Sequence, residues 1–345
     1  MKLPVRSYDF VFICRGSVQD GLGHLMRTKA VAKALPDPGS ARLVVIGDGV
    51  AKSLLEDSGL SWELVREEKE VVGRIRQLRP KVIVLDTTYL SDEVFGELRV
   101  WGPVVSLSPI FNQQGSVDLS FSRARQSTAV GRQHRAGVEY AVINPDCIRV
   151  TESEYVSVAN ETPFPVAISM GGADAPNRTL AVVSALKDID VPLLIWVILG
   201  EGYSHSYDRL VEAAHSHRKH EIILVKARRS MWRILRGAAV AVLAGGITSY
   251  EAAYAGIPGI NWVTNPESAA LVRDLVEHGA ALMIEGDESV LESELASVIR
   301  ELESDRDKLL LMHHKGKSLI DGQGAYRIAK ELVAILDTRL ALSPT

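Results

Sequence analysis

Three glycine-containing segments of this sequence are suited to binding an anion, and the first also carries a histidine. Gly21 and Gly23 lie just before His24, in a loop that begins at Arg15, leaves one predicted strand and opens the next predicted helix. Glycine lets a backbone approach a ligand closely, and a helix N-terminus attracts negative charge. That positive end disfavours the imidazolium, so a neutral His24 could act as a general base. In the alternative interpretation, His24 only hydrogen-bonds the backbone at the helix start.

The second segment, residues 169–174, also follows a buried strand and precedes a helix. Its paired glycines, Gly171 and Gly172, suit a nest of backbone N–H groups around an anion. Alternatively, the segment is a tight turn in which Asp174 or Asn177 caps the next helix. Capping explains the aspartate but not the pair of glycines.

The third segment places Gly245 and Gly246 at the end of a predicted strand, with Thr248 and Ser249 opening the next helix. Free N–H groups, two hydroxyls and the helix dipole together suit a phosphate group. Glu251 lies one turn further on, where its carboxylate could bind ribose hydroxyls. The alternative is a capping box in which Thr248 is the N-cap and Glu251 reaches back to it. Both interpretations can hold for Thr248.

Other polar residues give weaker signals. Asp86 follows a predicted strand at residues 82–85, and Tyr89 lies three residues further on, at the same predicted edge of the sheet as the glycine loops. Asp86 could equally cap its loop. Two histidine clusters have no carboxylate or cysteine in register, so we interpret them as solvated helix ends and predict neither a metal nor another cofactor. These clusters are His215, His217 and His220, and His313 with His314.

The elements that position these residues follow from the hydrophobic pattern. Apolar runs of strand length alternate with segments of helical period, which predicts parallel strands joined by crossover helices, an α/β sheet. The pattern restarts after a polar stretch at residues 149–162. We therefore predict two Rossmann-like, doubly wound domains, residues 1–155 and 156–345, with the last helix able to pack back on the first domain. Ligands of such sheets bind at the carboxyl ends of the strands, so we expect a central cleft between the domains.

Composition limits the class of protein. The 345 residues include 39 Lys+Arg against 43 Asp+Glu, a net charge of −4, and 46% are hydrophobic, as in ordinary globular proteins. The near-neutral charge argues against a nucleic-acid partner. The chain has two cysteines and no signal peptide, and no apolar run approaches the ~20 residues of a membrane span, so we expect a cytoplasmic protein. The sequence does not indicate an oligomeric state.

Four motifs in order resemble a known family. They are GLGHLMR at residues 21–27, SMGGAD at 169–174, GGITSYE at 245–251 and DGQGAYR at 321–327. Together they resemble the pseudaminic-acid-pathway UDP-sugar hydrolase (PseG) and spore-coat polysaccharide (SpsG) family, which has the GT-B fold and is similar to the MurG glycosyltransferases. The resemblance spans about residues 10 to 330. The family's R-x-D-x-S pattern is incomplete here, because Arg15-Gly16-Ser17 lacks the aspartate.

The resemblance implies a UDP-sugar-dependent enzyme of surface-polysaccharide or nonulosonate biosynthesis. It implies that His24 is catalytic, that the turn at residues 245–249 holds the diphosphate and that Glu251 binds the ribose. Water is our first choice of attacking group, which makes the protein a nucleotide-sugar hydrolase. The alternatives are a glycosyltransferase with a saccharide acceptor and a non-catalytic nucleotide-sugar binding protein. The remaining assignments are Gly171, Gly172, Val225 and Met231 to the nucleotide, and Arg15, Gly21, Gly23, Asp86, Tyr89 and Asp174 to the sugar.

Overall fold

The chain folds into two compact α/β units. The computed structural model describes residues 8–56, 58–110, 112–125, 131–187, 189–226 and 231–342. The first unit contains the described residues up to Asn144 together with those from Gly322 onward, and the second is Pro145–Asp321.

Each unit is built on one parallel sheet. In the first unit the sheet has the order β3-β2-β1-β4-β5-β6-β7, and in the second the order β10-β9-β8-β11-β12-β13. The strands of the first sheet are β1 (Phe10–Gly16), β2 (Ala41–Gly47), β3 (Ser61–Val65), β4 (Val82–Asp86), β5 (Val104–Ser106), β6 (Leu119–Ser122) and β7 (Gln133–Ala136). Those of the second are β8 (Phe164–Ser169), β9 (Leu193–Leu199), β10 (Glu221–Lys226), β11 (Val240–Leu243), β12 (Gly259–Val263) and β13 (Ala281–Glu285).

Helices connect the strands and cover the sheets. They are α1 (Gly23–Lys33), α2 (Gly49–Glu56), α3 (Lys69–Leu78), α4 (Asp92–Arg99), α5 (Glu152–Ala159), α6 (Arg178–Ala185), α7 (Tyr207–His215), α8 (Met231–Leu235), α9 (Ile247–Ala255), α10 (Pro266–Glu277), α11 (Glu288–Ser304), α12 (Arg306–Leu319) and α13 (Gly324–Leu342). In the part of the chain that the structure describes, none of the helices combines the length and the apolar character of a membrane span.

The predicted α/β class is confirmed, and the strand orders show where each unit can bind a ligand. Strands β4, β8, β11 and β12 are buried along their whole length, as expected when helices cover both faces. In the first sheet, β1 and β4 are neighbours at the point where the chain order reverses, and β8 and β11 are the equivalent pair in the second. Doubly wound sheets bind ligands at the carboxyl ends of such strand pairs.

We predicted a boundary between the units after residue 155, whereas in the structure the second unit begins at Pro145. The polar stretch that suggested a linker contains α5, whose N-cap Thr151 forms a capping box with Glu154. Tyr155 and Ala159 then pack into the core of the second unit, so a boundary at 155 would cut this helix. The chain also returns to the first unit at its end. Apolar residues of α13 join the core that contains β1 and β4, namely Ile328, Ala329, Leu332 and Leu336.

Candidate functional site

The strand order of the first unit brings His24 and Asp86 together. His24 is the second residue of α1, which follows β1, and Asp86 is the last residue of β4. Strands β1 and β4 pair in parallel with Cys14 opposite Asp86, so both residues lie at the carboxyl edge where the chain order reverses. The sequence predicted this edge but not the contact between the two side chains.

Asp86 is the centre of a buried hydrogen-bond network. Its side chain is only 1% exposed, and its Oδ1 lies 2.7 Å from Nδ1 of His24. Arg27 binds it with two donors: Nε donates to Oδ2 at 2.8 Å and Nη2 to Oδ1 at 2.5 Å. The hydroxyl of Ser108 donates to Oδ1 at 2.9 Å, and that of Thr28 reaches Oδ2 at 3.4 Å. The carboxylate is therefore surrounded by donors.

The charges around Asp86 fix its ionisation and the orientation of His24. Burial by itself raises the pKa of Asp86, but the charges of Arg27 and His24 and their hydrogen bonds outweigh it, so this pKa lies well below its ordinary value. An ionised carboxylate can only accept hydrogen bonds, so Nδ1 of His24 carries the hydrogen. In the neutral imidazole Nε2 then has the free lone pair. This arrangement of a buried carboxylate behind a histidine orients a general base.

Three members of the network were missed in the sequence. Arg27 and Thr28 stand three and four residues after His24, the spacing that places side chains on one face of a helix. That spacing could have identified them. Ser108 follows β5, the neighbour of β4, but nothing local in its sequence distinguishes it from other loop serines.

The structure does not bring Arg15 to this network. Side chains alternate along β1, and Arg15 lies on the opposite face from Cys14, where its guanidinium pairs with Glu68 at 2.5 Å. Glu68 also accepts from the backbone N–H of Ser91. Arg15 therefore fixes the loops on that face, and its assignment to the sugar is not supported.

The side chain of Tyr89, which was also assigned to the sugar, is 55% exposed.

The two glycines of the histidine loop have different conformations. Gly21 has φ +79°, and its N–H donates to the carbonyl of Ser17, which closes the loop. A Cβ atom at Gly23 would meet nothing within 4 Å, so the start of α1 is open on that side. The carboxylate of Asp48 accepts from the backbone of Val18 and holds the loop against the start of α2.

In the second unit, two glycine turns leave neighbouring strands. The turn with Gly171 and Gly172 follows β8, and the turn with Gly245 and Gly246 follows β11; the two strands pair with Ser169 opposite Leu243. Gly171 and Gly245 have φ of +98° and +74°, which favour glycine. Both turns therefore lie at the carboxyl edge where the second sheet reverses its order, as the sequence predicted from their places after strands.

Helix α9 begins without a side-chain cap. Its N-cap is Gly246, which has no side chain to accept a hydrogen bond from the first turn. The capping box that Thr248 and Glu251 could have formed is thus absent from this described segment. A Cβ atom at Gly246 would meet nothing within 4 Å, so the approach to the amides is open. Uncapped amides and the helix dipole make this end suitable for an anion.

Ser249 and Asp174 have other partners than those we expected. The hydroxyl of Ser249 is buried and donates to Oδ1 of Asn261 on β12 at 2.5 Å, so its hydrogen is not available to a phosphate. Both carboxylate oxygens of Asp174 accept from the first amides of α6, those of Arg178 and Thr179, at 2.8 and 2.9 Å. Asp174 is therefore the helix cap of the alternative interpretation, and its assignment to the sugar is not supported.

The other residues assigned to the nucleotide also belong to the second unit. Thr248 is half-buried, whereas Glu251 is buried and its backbone carbonyl accepts from the thiol of Cys147. Val225 lies near the end of the edge strand β10, and Met231 begins α8; both are half-buried. Residues 227–230, which connect them, lie outside the described residues.

The histidine clusters are only in part the solvated residues that we expected: His215, which ends α7, and His314 are exposed. His313 and His217 are buried, and Nδ1 of His313 donates to the carbonyl of Gly256. In the part of the chain that the structure describes, no three His, Cys, Asp or Glu side chains are grouped as metal ligands.

Sequence comparison finds a relative that matches almost the whole chain. No protein-family model matches the sequence. The spore coat polysaccharide biosynthesis protein SpsG of Bacillus subtilis (strain 168) is 19% identical over 334 residues, which cover 91% of this chain and 94% of that protein.

Solved structures show the same fold. MurG of Acinetobacter baumannii superimposes with a TM-score of 0.66 at 16% identity and covers 94% of this chain and 99% of its own. HepE of Anabaena, in complex with UDP and glucose, has a TM-score of 0.64 at 14% identity and covers 95% of this chain and 99% of its own. At these identities the likeness shows the fold, which is GT-B.

Proposed function

We propose that this chain, which is similar to SpsG and has the GT-B fold, is an enzyme that binds a UDP-sugar. In this proposal it breaks the bond between the sugar's anomeric carbon and the diphosphate. The observation that carries the proposal is the contact between His24 and the ionised Asp86 at 2.7 Å, at the carboxyl edge of the first sheet. A second observation supports it: the uncapped start of α9 beside paired glycine turns.

In the proposed reaction His24 is the general base. Nε2 takes a proton from the attacking water as that oxygen bonds to the anomeric carbon. Asp86 accepts from Nδ1 and stabilises the imidazolium that forms, while Arg27 balances the carboxylate's own charge. The electron pair of the broken bond goes to the oxygen of the departing diphosphate.

We assign the nucleotide to the second unit. The amides at the start of α9, the backbone of Gly245 and Gly246 and the hydroxyl of Thr248 are the proposed donors to the diphosphate. The turn of Gly171 and Gly172 completes this site. Two further assignments stay proposals that follow from the resemblance: Glu251 for the ribose, and Val225 with Met231 for the uracil.

Transfer of the sugar to a saccharide acceptor is the second candidate. The observation that favours it is the GT-B likeness to MurG, since the same histidine could take a proton from a sugar hydroxyl. The missing aspartate of the R-x-D-x-S pattern adds to this, because residues 15–17 are where this sequence departs from the hydrolases. We retain hydrolysis as the first candidate and propose that neither reaction needs a metal or other cofactor.

The test is UDP formation from a panel of UDP-sugars, with CMP- and GDP-sugars as controls, with and without EDTA. Ligands are first selected by thermal stabilisation, because a ligand at 100 times its Kd raises the free energy of unfolding by about 2.7 kcal/mol. Hydrolysis predicts UDP at about 1 per second or faster without any acceptor, a typical enzyme turnover. Release of UDP only after saccharide acceptors are added would favour the transferase. Binding of UDP-sugars without any turnover would indicate a non-catalytic binding protein, and loss of activity in EDTA would contradict the metal-free proposal.

A further inference from the structure

Arg178 has a fixed guanidinium with an uncommon set of partners. It is the first residue of α6, and its Nη2 donates to Oγ1 of Thr264 at 2.6 Å. The guanidinium carbon lies 5.5 Å from the ring centroid of Trp262, within the range of a cation–π contact. These two contacts hold the planar group in place but do not neutralise its charge.

No carboxylate in the described part of the chain pairs with Arg178. The nearest acidic residue in sequence, Asp174, uses both oxygens for backbone amides, including the N–H of Arg178 itself. A half-buried arginine is ordinarily paired, because removing part of its hydration costs free energy that a counterion offsets. An arginine that is fixed but lacks a counterion is suited to receive an anion from outside the chain.

Arg178 lies beside both glycine turns of the second unit. The turn that begins at Gly171 leads directly into α6. On the other side, a Cβ atom at Gly245 would lie 2.6 Å from Cγ1 of Val263, so this turn packs against the end of β12. Thr264, which holds the guanidinium, is the next residue after Val263. The charge is thus placed at the carboxyl ends of β8 and β12, the strands on either side of β11.

We propose that Arg178 binds the β-phosphate of the nucleotide and neutralises the negative charge that develops there as the sugar leaves. The inference rests on the proposed function and adds to it the only charged side chain that we assign to the diphosphate. A guanidinium with further N–H donors can bind two phosphate oxygens at once.

The strand order indicates the β-phosphate rather than the α-phosphate. Val225, assigned to the uracil, lies on β10 at the edge of the sheet, and Thr264 follows β12 on the other side of β11. The phosphate farther from the base is therefore the one nearer to Arg178.

Calorimetric titration with UDP and UMP tests the assignment, because only UDP has a β-phosphate. We expect R178M to weaken UDP binding by about 10- to 100-fold, the effect of losing a charged hydrogen-bond pair, and to change UMP binding by less than about twofold. R178K keeps the charge but not the planar fork, so its UDP affinity should be intermediate. The control is R209M, which removes the same charge from an exposed arginine of α7 and should bind both nucleotides like the wild type.

Each other outcome has a definite meaning. Equal losses for UDP and UMP would overturn the β-phosphate assignment, and R178M affinities equal to those of the wild type would overturn any role in binding. Wild-type protein that binds neither nucleotide would contradict the proposed function itself. Circular dichroism and thermal melting of R178M establish that the variant is folded, and R178K provides the comparison if it is not.

Discussion

At the scale of single residues, the balance of charge around Asp86 determines what His24 can do. The carboxylate is buried and ionised, with Arg27 on one side and the imidazole on the other. Because Arg27 already offsets the negative charge, the hydrogen bond from His24 chiefly fixes the ring and its tautomer. Because His24 and Arg27 both contact this buried carboxylate, replacing it should lower the stability of the fold.

Replacing Asp86 with Asn should separate orientation from binding. An amide no longer fixes the tautomer of His24, so we expect D86N to lower turnover by about 10²–10⁴-fold. Arg27 loses its charged partner, so the free energy of unfolding should fall by about 2–4 kcal/mol. UDP affinity should not change. Steady-state kinetics, urea unfolding and calorimetry measure the three effects.

Ser108→Ala is the matched control for this prediction. It removes one donor to the same oxygen of Asp86 but leaves His24 and Arg27 in place. We expect a loss of about 1 kcal/mol in stability and turnover within about fivefold of the wild type. If D86N and S108A had the same turnover, orientation by Asp86 would be excluded.

Single residues also show how far the sequence could be interpreted. His24 was identified because it lies in a glycine loop between a strand and a helix, and Asp86 because it lies at the end of a strand. Arg15, Asp174 and Ser249 were assigned to ligands, but each has a partner within the protein. Arg15 pairs with Glu68, and Ser249 donates to Asn261. Both partners come from other parts of the chain, and the local sequence pattern contains no information about which side chains meet after packing.

At the scale of elements, the two adjacent glycines before α9 have different constraints. Gly245 has positive φ and packs against Val263, so the fold requires it. Gly246 has φ −87° and open space where a side chain would extend, so the fold does not require glycine at this position. The sequence showed the pair but could not distinguish the two, because φ depends on how the turn packs against β12.

Gly246→Val should fold normally and lose UDP binding. The added side chain extends into the open space at the start of α9, where we place the diphosphate. We expect UDP affinity to fall by about 100-fold or more, since a filled site also loses its amide donors. Gly23→Val, which adds the same side chain in open space at the start of α1, should keep UDP affinity and lose turnover. Calorimetry showing the reverse pattern would mean that the nucleotide belongs to the first unit.

Helix α12 contributes a pH dependence of stability through His313. The ring of His313 stacks on that of Tyr155 in α5, with 4.5 Å between the ring centroids. Nδ1 of His313 donates to the carbonyl of Gly256, the residue that caps the end of α9. Burial lowers the pKa of His313 below its ordinary value, and burial lowers the pKa of His134 and His220 as well. Below pH ~6.5 the unfolded chain then binds more protons than the folded one, so stability falls as the pH falls.

His313→Asn should reduce this dependence. Asparagine can keep the donor to Gly256 but does not titrate, so the fall in Tm between about pH 7.5 and 5.5 should be smaller than in the wild type. At pH 7.5 the variant should be less stable by about 1–3 kcal/mol, because the stacked ring is lost. The exposed His215→Asn is the control and should follow the wild type. Identical slopes for H313N and the wild type would rule out His313 as the source.

At the scale of the whole molecule, both units have the same architecture, a parallel sheet with a central pair of strands at which the chain order reverses. Glycine turns follow both strands of this pair in the second unit, whereas in the first unit a glycine loop follows β1 and β4 ends at Asp86. Alternation of strands and helices made this architecture predictable, because continuous apolar strands with crossover helices permit few other folds. The boundary was not predictable to the same degree. Thr151 and Glu154 have the polarity of a linker but form a capping box. We did expect that the last helix could pack back on the first unit, and α13 packs there.

The central claim is that His24 is the base of a reaction that releases UDP. Its most direct test is the turnover of His24→Ala beside the wild type on the UDP-sugar that stabilises the protein most, with UDP affinity measured for both. We predict that turnover falls by about 10²–10⁴-fold, the usual effect of losing a general base, while the Kd for UDP stays the same. Turnover equal to that of the wild type would contradict the claim, as would a loss of turnover that only follows a loss of UDP binding.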